Sequence, residues 1–252
     1  MTVTEAGAGE IVGDSPDRRV EILCDDGALA ATWTRYAPGR EGADLHIHRR
    51  HTDFFYVLAG ELTVKLGPGG DEVAVPAGKL VRVPPFVPHG FRNCGDAELR
   101  YLNFHAPGRR FADYLRAMRD RREFPFDQEP PPGDGERPIS EAAVGGEEYA
   151  SDGVRLLADV DEVAVAELTS AAGGEHVHDR HLEAFYVLEG ALEVTVGGRS
   201  WRAGTGAWVQ IPPGVPHAVA LEGPSRVLNV HAPACGFGAF LRGGSGFDQR
   251  AA

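Results

Sequence analysis

Short runs of alternating apolar and polar residues, each ended by glycine or proline, recur along the chain. Examples are ELTVKL (61–66), LVRV (80–83), ALEVTV (191–196) and AWVQI (207–211). Alternation with a period of two is the pattern of a β-strand with one buried face. Gly197-Gly198 separates two such runs, as the turn of a two-residue hairpin does. Many short strands joined by tight turns predict an all-β sandwich or barrel.

The chain also repeats itself. Residues 53–60 read DFFYVLAG and residues 183–190 read EAFYVLEG, while LNFHAP at 102–107 returns as LNVHAP at 228–233. All ten histidines fall into equivalent pairs, which are His46/His176, His48/His178, His51/His181, His89/His217 and His105/His231. Such internal repetition indicates two copies of one structural unit. We therefore expect a first domain over residues 1–135 and a second over residues 136–252.

The segment between the copies has a different pattern. Phe111, Tyr114, Leu115 and Met118 are spaced as on one face of a helix, within residues 109–122. The stretch 124–138 is rich in proline and predicts a linker. The second copy has the parallel but shorter segment FGAFLRGG (237–244) after its HAP tripeptide. We expect a short helical segment after each barrel.

Charge and composition exclude several classes of partner. The formal net charge of -12 argues against binding to nucleic acid or to an anionic membrane. No apolar run reaches the length of a membrane span, and the first residues lack the apolar core of a secretory signal. The three cysteines, Cys24, Cys94 and Cys235, are too few and too scattered for a disulfide framework. We expect a cytoplasmic protein with reduced thiols and a small-molecule substrate.

Side-chain alternation brings the histidines to shared faces. His46 and His48 lie on one face of their segment, and Asp53 shares a face with Phe55. A barrel whose interior collects these faces would bring two histidines, a carboxylate and His89 together. The second copy offers the corresponding set His176, His178, Glu183 and His217.

Three imidazoles and one carboxylate are ligands for Fe(II), Mn, Co, Ni, Cu or Zn. They leave one or two positions open on a five- or six-coordinate metal, which can take water, dioxygen or a substrate oxygen. An open centre suits Lewis-acid or oxygen chemistry, whereas structural zinc more often uses cysteines. In this interpretation Asp53 and Glu183 are catalytic carboxylates, acting as ligands and as bases.

The spacing of these residues resembles that of the cupins. The first cupin motif is matched by His46, His48, Asp53 and Gly60, and again by His176, His178, Glu183 and Gly190. The second cupin motif is matched by Gly78, Pro84, His89 and Asn93, and again by Gly206, Pro212, Gly214 and His217. The resemblance covers residues from about 20 to 115 and from 153 to 242. It implies two tandem double-stranded β-helix (jelly-roll) barrels, each with a central metal. Tandem forms resemble quercetin 2,3-dioxygenases and related bicupins.

The sequence departs from the cupin pattern at three positions. Asp53 stands where the family usually has Glu, Phe86 where it has Gly, and Leu221 where it has Asn. Because Asp is one methylene shorter than Glu, we expect the second site to bind metal better than the first.

Other residues near the ligands have two interpretations each. His51 and His181 either reach the pocket mouth as proton shuttles or are solvated loop residues. Phe55 and Phe185 either line a substrate pocket or pack in the core. Asn93 would bond a ligand or substrate. His105 and His231 are expected to have a structural role at a strand end, and Asn103 and Asn229 to stabilise the local backbone.

The sequence therefore predicts a metal-dependent dioxygenase that acts on a small organic substrate. Fe(II) is the first expectation for the metal, with Ni, Mn, Co, Cu or Zn as alternatives. A non-oxidative isomerase, decarboxylase or lyase on a small acid or sugar is the second hypothesis. A small-molecule-binding cupin without catalysis is the third, because one fold hosts many functions. Exposed strand edges favour a homodimer.

Overall fold

The computed structural model describes residues 1–132, 142–145, 148–151, 153–171 and 173–252. The chain forms two compact units, one of Glu10–Gly146 and one that joins Met1–Gly9 to Glu147–Ala252. The predicted boundary near residue 135 lies outside the described residues. The prediction assigned residues 1–9 to the first domain, whereas strand β1 (Thr2–Thr4) pairs with Trp208–Gln210 of the second unit.

The first unit is a barrel of two antiparallel sheets. Its elements are β2 (Glu10–Ser15), β3 (Arg18–Asp25), β4 (Ala30–Tyr36), β5 (Thr52–Ala59), β6 (Glu61–Leu66), β7 (Asp71–Pro76), β8 (Leu80–Val83), β9 (His89–Arg92), β10 (Leu99–Ala106), helix α1 (Phe111–Arg119) and β11 (Ala143–Val144). Among the described residues, one sheet runs β11-β8-β5-β10-β4-β3-β2 and the other β7-β6-β9. The predicted strands at 61–66 and 80–83 are confirmed as β6 and β8.

The second unit repeats this plan. Its elements are β1, β12 (Tyr149–Ser151), β13 (Val154–Val160), β14 (Val163–Leu168), β15 (His176–Val177), β16 (Leu182–Val196), β17 (Arg199–Gly204), β18 (Trp208–Ile211), β19 (Ala218–Ala232), helix α2 (Phe237–Leu241) and β20 (Arg250–Ala251). Its larger described sheet runs β1-β18-β16-β19-β14-β13-β12, with β17 on β16. Gly197 and Gly198 form the predicted hairpin turn, with φ of 57° and 74°. The all-β, two-barrel prediction is confirmed.

Helix α1 confirms the predicted helical segment after the first barrel. Phe111 and Leu115 are buried against an apolar cluster that includes Val12, Val20 and Ile22 of strands β2 and β3. Met118, near the end of the helix, is 48% exposed. None of the helices in the described parts of the chain is long and apolar enough to cross a membrane.

The predicted linker is more ordered at its start than its composition indicated. Ile47 and Glu129 exchange backbone hydrogen bonds of 2.9 and 3.1 Å, so the chain after α1 returns to the barrel. Phe126 packs on the rings of His48 and His51. Residues 126–129 therefore belong to the first barrel, and the proline-rich part that follows lies partly outside the described residues.

Candidate metal centres

Backbone pairing places the histidines. The amides and carbonyls of His46 and His89 exchange hydrogen bonds of 2.9 and 2.8 Å, and those of His176 and His217 exchange two of 2.8 Å. Each exchange holds the two-histidine segment beside the third histidine. The carboxylate comes from the next strand, where Asp53 on β5 and Glu183 on β16 point into their barrels and are almost fully buried.

The second barrel brings all four predicted ligand positions together. The potential ligand atoms of His176, His178, Glu183 and His217 lie within 4.8 Å of one another. Oε2 of Glu183 is 2.8 Å from Nε2 of His217, 3.1 Å from that of His178 and 4.0 Å from that of His176. Two ligands at about 2.1 Å from one metal lie about 3.0 Å apart at a right angle and about 4.2 Å apart when opposite. These distances therefore fit one shared cation.

The first barrel brings three histidines together, with the carboxylate set back. His46, His48 and His89 form a group within 4.8 Å, and Asp53 is not part of it. Oδ2 of Asp53 is 3.3 Å from Nε2 of His89 and 3.8 Å from that of His48. The shorter Asp side chain accounts for this difference from Glu183.

Hydrogen bonds on the far side of each ring fix its orientation. Every histidine at a ligand position turns Nδ1 to a backbone carbonyl, which can only accept, so Nδ1 carries the proton and Nε2 keeps its lone pair. The acceptors are the carbonyls of Asp44 for His46 (2.7 Å), Asp127 for His48, Val87 for His89 (3.0 Å), Gly174 for His176 (3.0 Å), Asp248 for His178 (2.7 Å) and Val215 for His217 (2.8 Å). The six lone pairs thus point to two centres.

The residues of both centres fit a divalent metal. Nε2 of His48 is buried and has no hydrogen-bond partner. Burial alone would raise the pKa of Glu183, but the adjacent imidazoles of His178 and His217 hold it well below its usual value. Burial also opposes ionisation of Asp53. The opposite effect of three neighbouring histidines, His105, His48 and His89, is larger, so the pKa of Asp53 is also well below its usual value. A cation at each centre would satisfy the lone pairs and the anion together.

A hydrogen-bonded chain leads away from the carboxylate of the first barrel. Asn103 donates from Nδ2 to Oδ1 of Asp53 (2.5 Å), and its Oδ1 lies 3.1 Å from Nε2 of His105. The ring of His105 is joined to that of His51 at 2.8 Å, and Nδ1 of His51 lies 2.9 Å from the carboxylate of Asp127. Asp127 also accepts from the amides of residues 49 and 50.

The second barrel contains the same chain. Asn229 donates to Oε1 of Glu183 (2.9 Å) and its Oδ1 lies 2.8 Å from Nε2 of His231. Nδ1 of His231 lies 2.9 Å from Nε2 of His181, and Nδ1 of His181 lies 3.0 Å from Oδ2 of Asp248. Two copies of one arrangement, built on different loops, indicate that the chain of bonds belongs to the site.

This chain is suited to passing a proton. A full set of bonds needs three protons on the two rings of His51 and His105, one more than two neutral imidazoles carry. Burial lowers the pKa of His51 to about 4 and holds that of His105 well below its usual value. A third proton would therefore be held weakly near neutral pH and could move along the two rings between Asp127 and Nε2 of His105, which lies 3.6 Å from Oδ1 of Asp53.

Several residues lie elsewhere than the sequence indicated. His51 and His181 are only 1% exposed, so neither is a solvated loop residue nor at a pocket mouth. Phe55 and Phe185 pack in the apolar cores of their barrels. Asn93 does not face the centre: its Nδ2 donates to the carbonyls of residues 36, 37 and 97, because a buried amide must find acceptors for its donors.

Sequence reasoning missed the roles of Asn103, Asn229, Asp127 and Asp248. A further repeat marks the two aspartates: FDQ occurs at 126–128 and again at 247–249. In both copies the phenylalanine packs on the inner histidines and the aspartate joins the chain of hydrogen bonds. His105 and His231, expected to be structural, are also links in these chains.

A cavity of about 160 Å³ opens beside the first centre. His46, His48 and Asp53 are part of its lining, and the rest comes from α1, from strands β3, β4, β9 and β10, from the segment 40–43 and from Gln128. The His46–His48–His89 centre is thus accessible to a small molecule from inside its own barrel.

The fold and the paired sites define a bicupin. The cupin domain family matches residues 32–105 and 165–231, more than half of the chain, and the chain belongs to that family. A search of curated proteins found no match.

Solved structures of similar fold include two kinds of protein. The Ylba protein of E. coli has a TM-score of 0.63 at 14% identity, over 87% of this chain and 86% of that one. The oxalate decarboxylase of Lactobacillus farciminis, in a formate complex, has a TM-score of 0.62 at 14% identity, over 100% and 88%. A variant of Bacillus subtilis oxalate decarboxylase has a TM-score of 0.59 at 14% identity, over 93% and 77%. At these identities the similarity shows the fold.

Proposed function

We propose that the chain is a metal-dependent enzyme that acts on a small organic substrate in the first barrel. One observation carries this proposal: the cavity beside His46 and His48 is lined both by these histidines and by the apolar and aromatic side chains that bind organic molecules. The divalent metal would be held by His46, His48 and His89, with Asp53 beside it. When bound, it supplies Lewis-acid activation or oxygen chemistry.

The reaction class that we propose first is dioxygenation, with Fe(II) as the metal. Support comes from three neutral nitrogens and one carboxylate, a set that leaves room for substrate and oxygen. The chain's own residues hold Nε2 of each histidine towards the centre, keep Asp53 ionised and surround the substrate with aromatic rings. The second centre, His176, His178, Glu183 and His217, would bind a second metal.

A non-oxidative decarboxylase or lyase is the second candidate, and one observation favours it. The chain of Asp127, His51, His105 and Asn103 reaches the carboxylate of Asp53, and a lyase needs a residue that delivers a proton to its product. Oxalate decarboxylases are also among the proteins of similar fold.

Oxygen dependence distinguishes the two classes. We would measure dioxygen uptake and carbon dioxide release by the Fe(II)-loaded chain with a panel of hydroxylated aromatic acids and oxalate, in air and under argon. Uptake of oxygen that disappears under argon and in His48→Ala supports the dioxygenase. Turnover that persists under argon supports the lyase, and full activity of metal-free protein would refute both.

A further inference from the structure

The cavity of the first barrel is lined by an arginine that forms no ion pair with the described residues. Arg18, at the start of β3, lines the cavity, and its Nε is buried with no hydrogen-bond partner. No carboxylate among the described residues forms an ion pair with Arg18, whereas the neighbouring Arg19 pairs with Asp14 and Glu21. A buried donor on a charged group costs free energy unless something satisfies it. This guanidinium is therefore suited to an anionic ligand.

Polar and aromatic side chains surround Arg18. Tyr36 and Tyr101 line the cavity with their rings edge to face, 5.6 Å apart. Burial raises the pKa of Tyr101, and of Tyr114, and the nearby charge of Arg18 opposes that rise in both. Both tyrosines thus stay protonated, and both line the cavity with Arg18.

Strand register places Arg18 at the far end of the cavity from the metal centre. Asn103, which bonds Asp53, pairs with Thr32, whereas Arg18 pairs with Tyr36 on the same strand β4. The guanidinium itself lies beside Gly13, which pairs with Val20 opposite Thr34, two residues or about 7 Å along the strand from Thr32. A ligand that reaches both ends must therefore be longer than a two-carbon diacid and must present its anion away from the histidines.

The middle of the cavity sets the width of the ligand. Phe91 and Phe111 line it, with Leu115 from α1. Its volume of about 160 Å³ is close to the roughly 150 Å³ of an engineered cavity that holds benzene. One aromatic ring fits this space.

The second barrel differs at the equivalent positions. Asn103 pairs with Thr32 in the first barrel, whereas its equivalent Asn229 pairs with Ala166 in the second. Tyr101 likewise corresponds to Val227. Ala166, Leu168 and Val227 pack in an apolar core cluster. The hydroxyl-lined wall is thus specific to the first barrel, although both barrels have the histidines.

We infer that the first barrel binds a single-ring aromatic monocarboxylate, with the carboxylate on Arg18 and the other end of the ring facing His46 and His48. Arginine suits this role because its planar guanidinium bonds a carboxylate through two nitrogens. Of the other charged residues in the segment 40–43, Arg40 pairs with Asp17 and Glu41 with Arg92, so the one cation of Arg18 favours a monoanion. The inference deepens the proposed function, on which it rests for the role of the histidine end.

Calorimetric titration with 4-hydroxycinnamate tests this assignment. The full chain, stripped of metal with a chelator, would be compared with Arg18→Gln, Arg18→Lys and the control Arg100→Gln, whose side chain is half exposed. We expect the dissociation constant to rise at least tenfold in Arg18→Gln, to rise less in Arg18→Lys and to stay unchanged in Arg100→Gln. The neutral 4-hydroxycinnamamide should bind wild type at least tenfold more weakly than the acid does.

Three results would overturn the inference: no binding of 4-hydroxycinnamate to wild type, equal binding of acid and amide, or equal binding of the acid by wild type and Arg18→Gln. Oxalate that binds through Arg18 in place of the aromatic acid would also overturn it. Arg18→Gln should unfold at about the same temperature as wild type, because Arg18 is only partly buried and makes no ion pair among the described residues. Since the titration uses metal-free protein, its result is independent of whether the proposed metal chemistry fails.

Discussion

Exchanging the two carboxylates tests why the centres differ. Oδ2 of Asp53 lies 3.3 and 3.8 Å from the nitrogens of His89 and His48, where the equivalent distances from Glu183 are 2.8 and 3.1 Å. Cis ligands at bonds of about 2.1 Å should be about 3.0 Å apart, so Asp53 falls short by up to about 0.8 Å. One additional methylene adds about 1.5 Å of reach. Asp53→Glu should therefore bring the carboxylate into direct contact with the metal.

We predict that Asp53→Glu tightens metal binding in the first barrel at least tenfold, which corresponds to about 1.4 kcal/mol. Glu183→Asp should weaken the second site by a similar factor. The cavity beside Asp53 leaves room for the longer side chain.

Each exchange requires a background with the other site disabled. Asp53→Glu would be measured in His178→Ala protein and Glu183→Asp in His48→Ala protein, with Zn²⁺ in competition with a chelating dye. Thermal unfolding controls for damage to the fold. The reasoning is refuted if Asp53→Glu binds no more tightly than its parent while folding normally, or if Glu183→Asp loses no affinity.

Three further predictions concern the surroundings of the centres. Asp127→Ala should lower metal affinity in the first barrel by about 10- to 100-fold, and Asp248→Ala should do so only in the second barrel. Competition with a chelating dye measures both affinities. An equal loss at both sites in either variant would contradict two separate hydrogen-bonded chains. Leu115→Ala should destabilise the first barrel by about 2–5 kcal/mol in urea unfolding, since Leu115 on α1 is buried against strands β2 and β3. Burial lowers the pKa of His231 to about 3, so the unfolded chain takes up a proton at higher pH than the folded one does. Metal-free protein should therefore lose stability as the pH falls from about 6.5 towards 3, and a flat profile would argue against a buried neutral ring.

Much of the fold followed from local sequence signals. Alternation and glycine turns predicted strands such as β6 and β8, and repetition predicted two barrels, because each barrel is stabilised mainly by its own alternating inner face. The position of β1 could not be predicted in the same way. Its pairing with β18 joins residues 2–4 to residues 208–210, and no local pattern encodes a partner so distant in sequence.

The candidate site was predictable where spacing sets geometry. The His-x-His segments and the acidic residues alternate along strands, so their shared faces follow from the sequence. The linked bonds of Asn103, His105, His51 and Asp127 depend on three separate segments meeting at one point, and composition alone classified residues 126–129 as linker. Arg18 was missed because an unpaired charge is visible only when its neighbours are known.

Metal content per chain tests the central claim most directly. Protein purified without an affinity metal column and reconstituted with Fe(II) or Mn(II) would be analysed as wild type, His48→Ala and His178→Ala. We predict close to two equivalents for wild type and close to one for each variant, because each histidine serves its own centre. An absence of bound metal in the reconstituted wild type, or a loss of both equivalents in a single variant that still folds, would contradict two independent metal centres.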